Sequence, residues 1–336
     1  MVSVIEKKRE YKMLNFLNIS PPKSGIYNLG RKYEEYFRLR GLETKWVNLG
    51  WDSNIDFGEE ITQHFIGSGF TINLLKNTFV QDYKIEGIKI YTDHRLMPTL
   101  DGKEIVIIHD FFRDKKFVTR WKKRRVLSVL KKNQVKVITN SLHTKEIAKK
   151  QGLNVVSEFY PCYDYGVPKF SKEEKLIISV GSNDPRKRPD LIADFVNNLD
   201  GRWKFIRIGD NLNDVKKINT KAEYIHVKGI SDSELHSIYD RASYLFLPSE
   251  DEGLGLPMIE ALFHNVAVIA NEKNPVLKEF EFPDIIYVER EGNFYIPSYP
   301  DTLEFLRFRK WYNSRIEYQF NIINSTFPEQ NFENTV

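Results

Sequence analysis

Two glutamates bracket a short glycine-containing loop in the segment Leu245–Ala270, which reads LFLPSEDEGLGLPMIEALFHNVAVIA. Glu252 and Glu260 have seven residues between them, and the loop consists of Gly253, Leu254, Gly255 and Leu256. Glycine lets a backbone approach a ligand closely, and a helix that begins near Pro257 would point unpaired N–H groups at an anion. Carboxylates beside such an anion suit the hydroxyl groups of a sugar or ribose. The alternative is an acid that serves only the helix dipole.

A second loop is rich in cations and follows the apolar run Leu176–Val180. It reads GSNDPRKRP from Gly181 onward and contains Arg186, Lys187 and Arg188. Parallel α/β sheets bind ligands just beyond the carboxyl ends of their strands, so these cations suit a phosphate group. Three basic residues on a loop are also compatible with plain solvation.

Lys228 and Gly229 follow a third strand candidate, Tyr224–Val227. Taken alone, this stretch is a strand, a turn and a helix capped by Ser231 or Asp232.

In the first half of the chain, His109 follows the apolar run Ile105–Ile108, and Lys23 and Gly25 precede a predicted helix in the string PPKSG. A histidine at the end of a strand either takes part in chemistry or is a hydrogen-bonded structural residue. Neither pattern decides the question by itself.

Together these stretches resemble the donor-site signatures of the family 4 retaining glycosyltransferases, which have the two-domain GT-B architecture. The resemblance covers about 170–282. It implies that Glu252 lies against the donor sugar, that Glu260 holds the ribose of the nucleotide, and that the loop Gly253–Leu256 faces sugar and diphosphate. It also implies that Lys187 clamps the diphosphate. Ser182 stands where the family usually carries a second clamping cation, an arginine, so Gly181 and Ser182 begin this loop without that charge, and Arg186 and Arg188 are the alternative sources of it.

The same resemblance assigns further roles. The backbone at Lys228 and Gly229 would meet the nucleotide base, His109 would lie at the point of sugar transfer, and Lys23 with Gly25 would form the acceptor loop, which usually has two glycines. Attack on the same face of the sugar would retain the anomeric configuration, with the leaving phosphate accepting the acceptor's proton. No metal and no cofactor are expected, because lysine, arginine and backbone dipoles replace the metal.

Alternating strand and helix patterns predict where these residues are held. The strand candidates are Met13–Ile19, Thr44–Val47, Gly87–Tyr91, Ile105–Ile108, Val135–Thr139, Leu176–Val180, Lys204–Ile208, Tyr224–Val227, Tyr244–Leu247 and Val266–Ala270. Alternation of this kind predicts parallel sheets covered by helices. With this pattern, the resemblance implies an α/β protein of GT-B architecture, with two Rossmann-like domains facing across a cleft: an acceptor domain over 1–165, a donor domain over 170–300, and a helical segment over 301–336 that returns to the first domain.

Composition narrows the class of protein. The 336 residues are 41% hydrophobic and include one cysteine, Cys162, so no intrachain disulfide can form. No apolar run approaches the ~20 residues of a membrane span, and the first residues lack a signal-peptide core, so we expect a cytoplasmic location. The seven histidines are scattered, and no Cys–His spacing fits zinc.

Positive charge is concentrated in the basic segment, residues 111–132, which reads FFRDKKFVTRWKKRRVLSVLKK. It carries a net charge of +9, so the rest of the chain carries −5 within a total of +4. One interpretation is a solvated helix whose Val126, Leu127 and Leu130 face a core. The other is docking on an anionic membrane, with aromatic side chains at the headgroup level, which would leave this surface associated with the membrane.

The favoured partners are a nucleotide-sugar donor and a glycan, lipid or protein acceptor. A sugar-nucleotide epimerase or a phosphorylase of the same architecture is the rival within enzymes. A sugar-nucleotide- or glycan-binding protein without turnover is the rival outside them, and Ser182 favours it. Nucleic acid is not expected as a partner, since no recognised motif accompanies the basic segment.

Overall fold

The structure is a computed structural model, which describes residues 13–18, 20, 24–48, 62–63, 87–94, 100, 102–111, 117–163, 171–289 and 295–326. For 62–63, 117–123, 320 and 324 it describes the backbone alone. The chain divides into two compact units. The first unit is Met1–Cys162 with Ile316–Val336, and the second unit is Tyr163–Arg315.

The first unit is built on a seven-stranded parallel sheet with the order β3-β2-β1-β4-β5-β6-β7. Its elements are β1 Leu14–Asn18, α1 Gly25–Leu39, β2 Thr44–Asn48, β3 Thr62–Gln63, β4 Ile88–Tyr91, β5 Glu104–Ile108, α2 Phe117–Lys132, β6 Lys136–Thr139, α3 Leu142–Lys150 and β7 Asn154–Glu158. The central strands are buried throughout, as expected for a parallel sheet covered by helices.

The second unit is built on a six-stranded parallel sheet with the order β10-β9-β8-β11-β12-β13. Its elements are β8 Glu173–Gly181, α4 Pro189–Asn198, β9 Lys204–Gly209, β10 Glu223–Val227, α5 Asp232–Arg241, β11 Ala242–Leu247, α6 Leu256–Phe263, β12 Ala267–Asn271 and β13 Ile286–Glu289. Short 3-10 turns lie at Pro185–Lys187, Leu212–Asp214 and Pro275–Glu279. The final helix, α7, spans Thr302–Thr326.

Sequence signals set the element boundaries of the second unit. Strand β11 ends at Leu247, one residue before Pro248, and α6 carries Pro257 in its first turn. Helix α5 begins with a capping box, in which Ser231 accepts from the backbone N–H of Glu234 and the Glu234 side chain accepts from the backbone N–H of Ser231. These boundaries confirm the predicted strand, loop and helix order around the glycine loop.

The basic segment forms helix α2 from Phe117 onward. Val126 and Leu130 are buried in the core of the first unit, and Leu127 packs against that core, as predicted. Phe111, one of the aromatic residues expected at a headgroup level, also packs against this core.

Helix α7 begins in the second unit, and its residues from Ile316 onward belong to the first. Within the first unit, Tyr36 Oη donates to the Ile316 carbonyl at 3.0 Å, and Gln319 Nε2 donates to the Tyr160 carbonyl at 2.9 Å. Lys136 Nζ reaches the Thr326 carbonyl at 2.7 Å. In the described chain no helix is long and apolar enough to cross a membrane.

Candidate functional site

Four loops emerge at the carboxyl ends of β8, β9, β10 and β11, which are neighbours in the second sheet. The loop after β8 is bound to the loop after β11, because the Glu250 N–H donates to the Arg186 carbonyl at 2.9 Å. It is also bound to the loop after β9, because Asn183 donates from its backbone to Asp210 at 3.1 Å and from its side chain to the Asn211 carbonyl at 2.7 Å. The candidate loops are therefore assembled at one edge of one sheet.

Lys187 extends over the end of strand β8. A Cβ placed on Gly181 would lie 3.0 Å from Lys187 Nζ, and Gly181 has a φ of +139°, so the lysine passes where a side chain would stand. No carboxylate in the described residues pairs with Lys187. Its ammonium group is thus held near the loop backbone with its charge available to an anion.

The two neighbouring arginines are engaged by carboxylates. Arg186 bonds to Asp184 through Nε at 3.3 Å and through Nη2 at 3.2 Å. Arg188 bonds to Asp190 and, at 2.5 Å, to Glu250. The hydrogen bonds to Asp190 raise the pKa of Arg188, and the Arg188 guanidinium lowers the pKa of Asp190. Both predicted arginines lie at the edge, but their charges are compensated there.

Lys228 and Gly229 directly follow β10, at the same carboxyl edge of the second sheet. The Lys228 ammonium contacts Asp210 at 3.1 Å, and this carboxyl also accepts the Asn183 N–H. Hydrogen bonding to Asn183, followed by Lys228, lowers the pKa of Asp210. Gly229 has a φ of +72° and open space where a Cβ would stand.

The glycine loop leads into helix α6. Gly255 is the residue before the helix, in the left-handed conformation with φ of +74°, and no side chain caps this helix end. Leu254 is buried beneath the loop, and Gly253 and Leu256 complete it. Pro257 has no N–H, and Met258 and Ile259 donate theirs to the Gly255 carbonyl, so Leu256 carries the backbone donor at the start of α6 that suits a phosphate.

Glu252 stands at the start of this loop and is half-buried. Its Oε1 is buried and has no hydrogen-bond partner in the described part of the chain. Ser249, three residues earlier, is fully buried, and its Oγ likewise has no hydrogen-bond partner in the described part of the chain. Buried polar atoms are rarely left unbonded, so these two suit the polar groups of a ligand.

Glu260 lies one helical turn into α6 and is half-buried. Its Oε2 is 3.4 Å from the hydroxyl of Tyr239, which also lies 3.4 Å from the Pro257 carbonyl. Tyr239 is fully buried, so it restricts the position of this carboxylate.

In the first unit, His109 lies at the carboxyl end of β5 and is buried. Its Nε2 is 2.5 Å from the Thr92 carbonyl, a geometry in which Nε2 carries the proton. Gly25 is the first residue of α1, and Ser24 caps that helix by accepting from the Tyr27 N–H. A Cβ on Gly25 would meet nothing within 4 Å, so space lies beside this helix end. Lys23 lies outside the described residues.

A protein-family model matches a stretch of the second unit. Residues 166–283 match the family model of the glycosyl transferases group 1. This stretch is a group 1 glycosyltransferase domain. The O-antigen chain mannosyltransferase RfbU of Salmonella typhimurium is 28% identical over 218 residues, which is 59% of this chain and 60% of RfbU. An uncharacterised 41.2 kDa protein in the cps region of Klebsiella pneumoniae is 27% identical over 143 residues, 42% of this chain and 37% of that protein. The chain thus spans less than two thirds of these curated relatives.

Solved structures match over both units. WaaG, a glycosyltransferase involved in lipopolysaccharide biosynthesis, superposes with a TM-score of 0.59 at 13% identity and covers 95% of this chain and 98% of its own. HepE of Anabaena, in complex with UDP and glucose, superposes with a TM-score of 0.63 at 12% identity and covers 94% and 95%. Together with the two parallel sheets, these matches establish the GT-B fold.

Several site residues of the group 1 domain escaped sequence reasoning. Arg207 is almost fully buried on β9 and bonds to the loop after β8. The only sequence signal was a charged residue inside the apolar run KFIRIG. Ser249 and Asp210 gave no signal.

The first unit has a cluster of buried polar side chains at the ends of β1, β2 and β4, which the sequence analysis also missed. Asn18 donates to Asn48 at 2.7 Å, Thr92 donates to Asn18 at 3.2 Å, and Ser20 donates to Asp93 at 3.0 Å. The asparagines and Asp93 are strand-end residues of ordinary loop composition, so nothing in the sequence separated them from turn residues.

Proposed function

We propose that this protein is a retaining glycosyltransferase that moves a sugar from a nucleotide-diphosphate sugar to an acceptor without a metal ion. One observation carries the proposal, which is the carboxyl edge of the second sheet. There a group 1 domain holds Lys187 without a carboxylate partner among the described residues, beside a glycine loop whose Glu252 has a buried carboxylate oxygen without a described donor.

The chemistry follows from where charge develops. Cleavage of the bond between the sugar carbon and the diphosphate builds negative charge on the leaving phosphate and positive charge on the sugar ring. Lys187 and the Leu256 N–H at the start of α6 oppose the former, and one such donor is typically worth about 3 kcal/mol. Glu252 would accept from donor-sugar hydroxyls, and Glu260 from the ribose. The leaving phosphate would take the proton of the acceptor hydroxyl, which attacks on the same face.

The test begins with binding. The HepE structures hold UDP and UDP-glucose, so UDP is the first probe in a thermal-shift panel of nucleoside diphosphates. NMR of the product made from the best donor, with and without EDTA, then reports configuration and metal use. We expect a retained anomeric bond and an unchanged rate in EDTA. An inverted product, or a rate abolished by EDTA and restored by a divalent cation, would contradict the mechanism.

A protein that binds the sugar nucleotide without turnover is the second candidate. The observation in its favour is Ser182, an exposed neutral residue where the resemblance expects a clamping arginine. Tight binding of the nucleotide sugar with no transfer to any glycan, lipid or protein acceptor, and no hydrolysis, would favour it. Release of an epimerised nucleotide sugar would instead identify an epimerase of this architecture.

We also propose that the basic segment contacts an anionic membrane, so that a cytoplasmic protein acts on a lipid or lipid-linked glycan. Arg124, Arg125, Lys131 and Lys132 are exposed on α2, whose Val126 and Leu130 are buried. Each basic residue near an anionic surface contributes roughly 1 kcal/mol.

Sedimentation with anionic and neutral vesicles tests this surface. Binding to the anionic vesicles alone should be lost when Lys122, Lys123, Arg124 and Arg125 are changed to Ser. The matched control changes four exposed lysines of the second unit to Ser, namely Lys175, Lys216, Lys217 and Lys221. Equal binding to both kinds of vesicle, or loss of binding in the control, would contradict the membrane contact. The acceptor would then be a soluble molecule.

A further inference from the structure

Arg207 is a buried cation in the middle of the second sheet. It is 1% exposed and lies on β9, where the parallel register places Ser179 of β8 directly beside it. Its Nη1 donates to Ser179 Oγ at 3.0 Å. Its neighbours on the strand, Ile206 and Ile208, are buried and apolar. An arginine at such a position loses hydration without any gain in apolar packing.

Within the described part of the chain, the guanidinium hydrogen-bonds only to neutral acceptors. Its Nη2 donates to the carbonyls of Gly181 at 2.8 Å and Ser182 at 3.3 Å and to Asn183 Oδ1 at 3.3 Å, and its Nε donates to the Asp210 carbonyl at 3.1 Å. No described carboxylate forms an ion pair with it. Burial lowers the pKa of Arg207 to about 10, although the charge of the Asp210 carboxylate opposes the shift, so Arg207 remains charged at neutral pH. A buried charge that no carboxylate contacts directly is costly.

Two cations without carboxylate partners therefore meet at Gly181. Lys187 passes over its Cα, and Arg207 donates to its carbonyl from below. We propose that Arg207 is a positioning residue for an anion, the diphosphate of the donor, and that it supplies from beneath the loop the positive charge that Ser182 does not. This inference rests on the proposed function.

The backbone geometry shows how a buried residue can act on the ligand. A trans peptide points its C=O and N–H in opposite directions. The Gly181 carbonyl accepts from Arg207 and from the Asp210 N–H at 3.2 Å, so the N–H of Ser182, an exposed residue, points away from β9. The next N–H, that of Asn183, is taken by Asp210. Arg207 thus helps to orient the Ser182 N–H, which we infer to be a donor to the diphosphate, and adds its own charge behind it.

Calorimetric titration with UDP, UMP and uridine separates this role from a structural one. GDP and ADP, with their monophosphates and nucleosides, are titrated as well. The comparison then uses the series whose base the protein binds. In Arg207→Met we expect diphosphate affinity to fall about 10- to 100-fold, and nucleoside affinity to change less than about threefold. In the double variant Ser182→Arg with Arg207→Met, the ratio of diphosphate affinity to nucleoside affinity should be at least about tenfold higher than in Arg207→Met alone. Arg202→Met is the matched control, since Arg202 is exposed and paired with Asp200.

Unchanged diphosphate affinity in Arg207→Met, or an equal loss for diphosphate and nucleoside, would overturn the inference and leave the proposed function intact. A parent protein that binds no nucleoside diphosphate would overturn both. If Arg207→Met does not fold, Arg207→Lys decides, because it keeps the charge and loses the planar fork. For Arg207→Lys, a diphosphate-to-nucleoside affinity ratio within about tenfold of that of the parent supports the inference. If the diphosphate binds no more tightly than the nucleoside, the inference is overturned.

Discussion

Glu252 has one carboxylate oxygen that is buried and without a described donor, an arrangement that serves no visible purpose in folding. We therefore expect Glu252→Gln to leave the melting temperature within about 2 °C of the parent and to lower turnover by about 100-fold or more. Differential scanning fluorimetry and a donor-transfer assay measure the two quantities. Glu223→Gln is the control, because Glu223 lies at the amino end of strand β10, away from the loops at its carboxyl end. It should leave both the melting temperature and the turnover unchanged. A parallel fall of activity and stability would favour a structural role.

Lys187 and Arg186 are adjacent cations with different surroundings. Arg186 is bonded to Asp184, whereas Lys187 has no carboxylate partner in the described chain. Lys187→Ala should lower turnover by about 100-fold, and the loss should persist at saturating donor, since the charge it answers develops mainly in the transition state. Arg186→Ala should cost less than about tenfold, as expected for a partly exposed ion pair. Steady-state kinetics of both variants test the contrast, which fails if Arg186→Ala is the more damaging.

Glu260 is held beside the Tyr239 hydroxyl and is proposed to bind the ribose. Removal of a charge-assisted hydrogen bond typically costs about 1.5–3 kcal/mol. Glu260→Ala should therefore weaken binding of the nucleoside diphosphate by roughly that amount in calorimetry, while Tyr239→Phe should have a smaller effect. An unchanged affinity in Glu260→Ala would exclude the ribose contact.

At the scale of elements, the central strands were predictable, and β10 was the one edge strand of the two sheets that was. The strands β5, β11 and β12, and the Leu176–Val180 part of β8, are largely apolar runs, which is what burial on both faces requires. The edge strands β3, β7 and β13 were missed, because a strand such as β7, with the sequence NVVSE, is only half-buried and carries a weak apolar signal.

Asn265 shows the same limit within a turn. It lies between α6 and β12, and the structure gives it a φ of +55°, a left-handed conformation that asparagine tolerates. Its carbonyl and side chain are bonded to Tyr299 and Arg309, two residues more than 30 positions later. The sequence reveals the turn, but partners so distant come only from the fold. The same reason hid Arg207, four of whose five described acceptors are 24 to 28 residues away in the chain.

The meeting of β8 and β9 depends on a pair of glycines. A Cβ on Gly209 would lie 2.1 Å from the Gly181 carbonyl oxygen, and Gly209 has a φ of +120°. Gly209→Ala should therefore destabilise the second unit by about 2 kcal/mol or more and weaken diphosphate binding, because the loop after β8 must shift. Gly201→Ala is the control, since its Cβ would meet nothing nearer than 3.4 Å. Urea denaturation and UDP titration measure both effects, and equal stability of the two variants would contradict this packing.

At the scale of the whole molecule, the stability of the second unit should depend on a buried cluster of Lys172, Asp240 and His264. His264 Nδ1 lies 2.6 Å from Asp240, and Lys172 Nζ donates to the His264 carbonyl at 2.5 Å. Burial lowers the pKa of His264 from 6.5 to about 4, although Asp240 opposes the shift. Burial likewise lowers the pKa of Lys172 from 10.5 to about 7. Both groups therefore prefer to be neutral in the folded chain.

The sign of the pH dependence follows from proton binding. Between about pH 4 and 6.5 the unfolded chain binds a proton at His264 that the folded chain does not, so the free energy of unfolding rises with pH. Between about pH 7 and 10.5 Lys172 acts in the same direction. Hydrogen exchange of peptides from β11 and β12 should show protection that increases across both windows. His264→Asn should flatten the acidic window and Lys172→Met the alkaline one, each without altering the other. A variant pair that leaves both slopes unchanged would show that these groups titrate alike in the folded and unfolded chain.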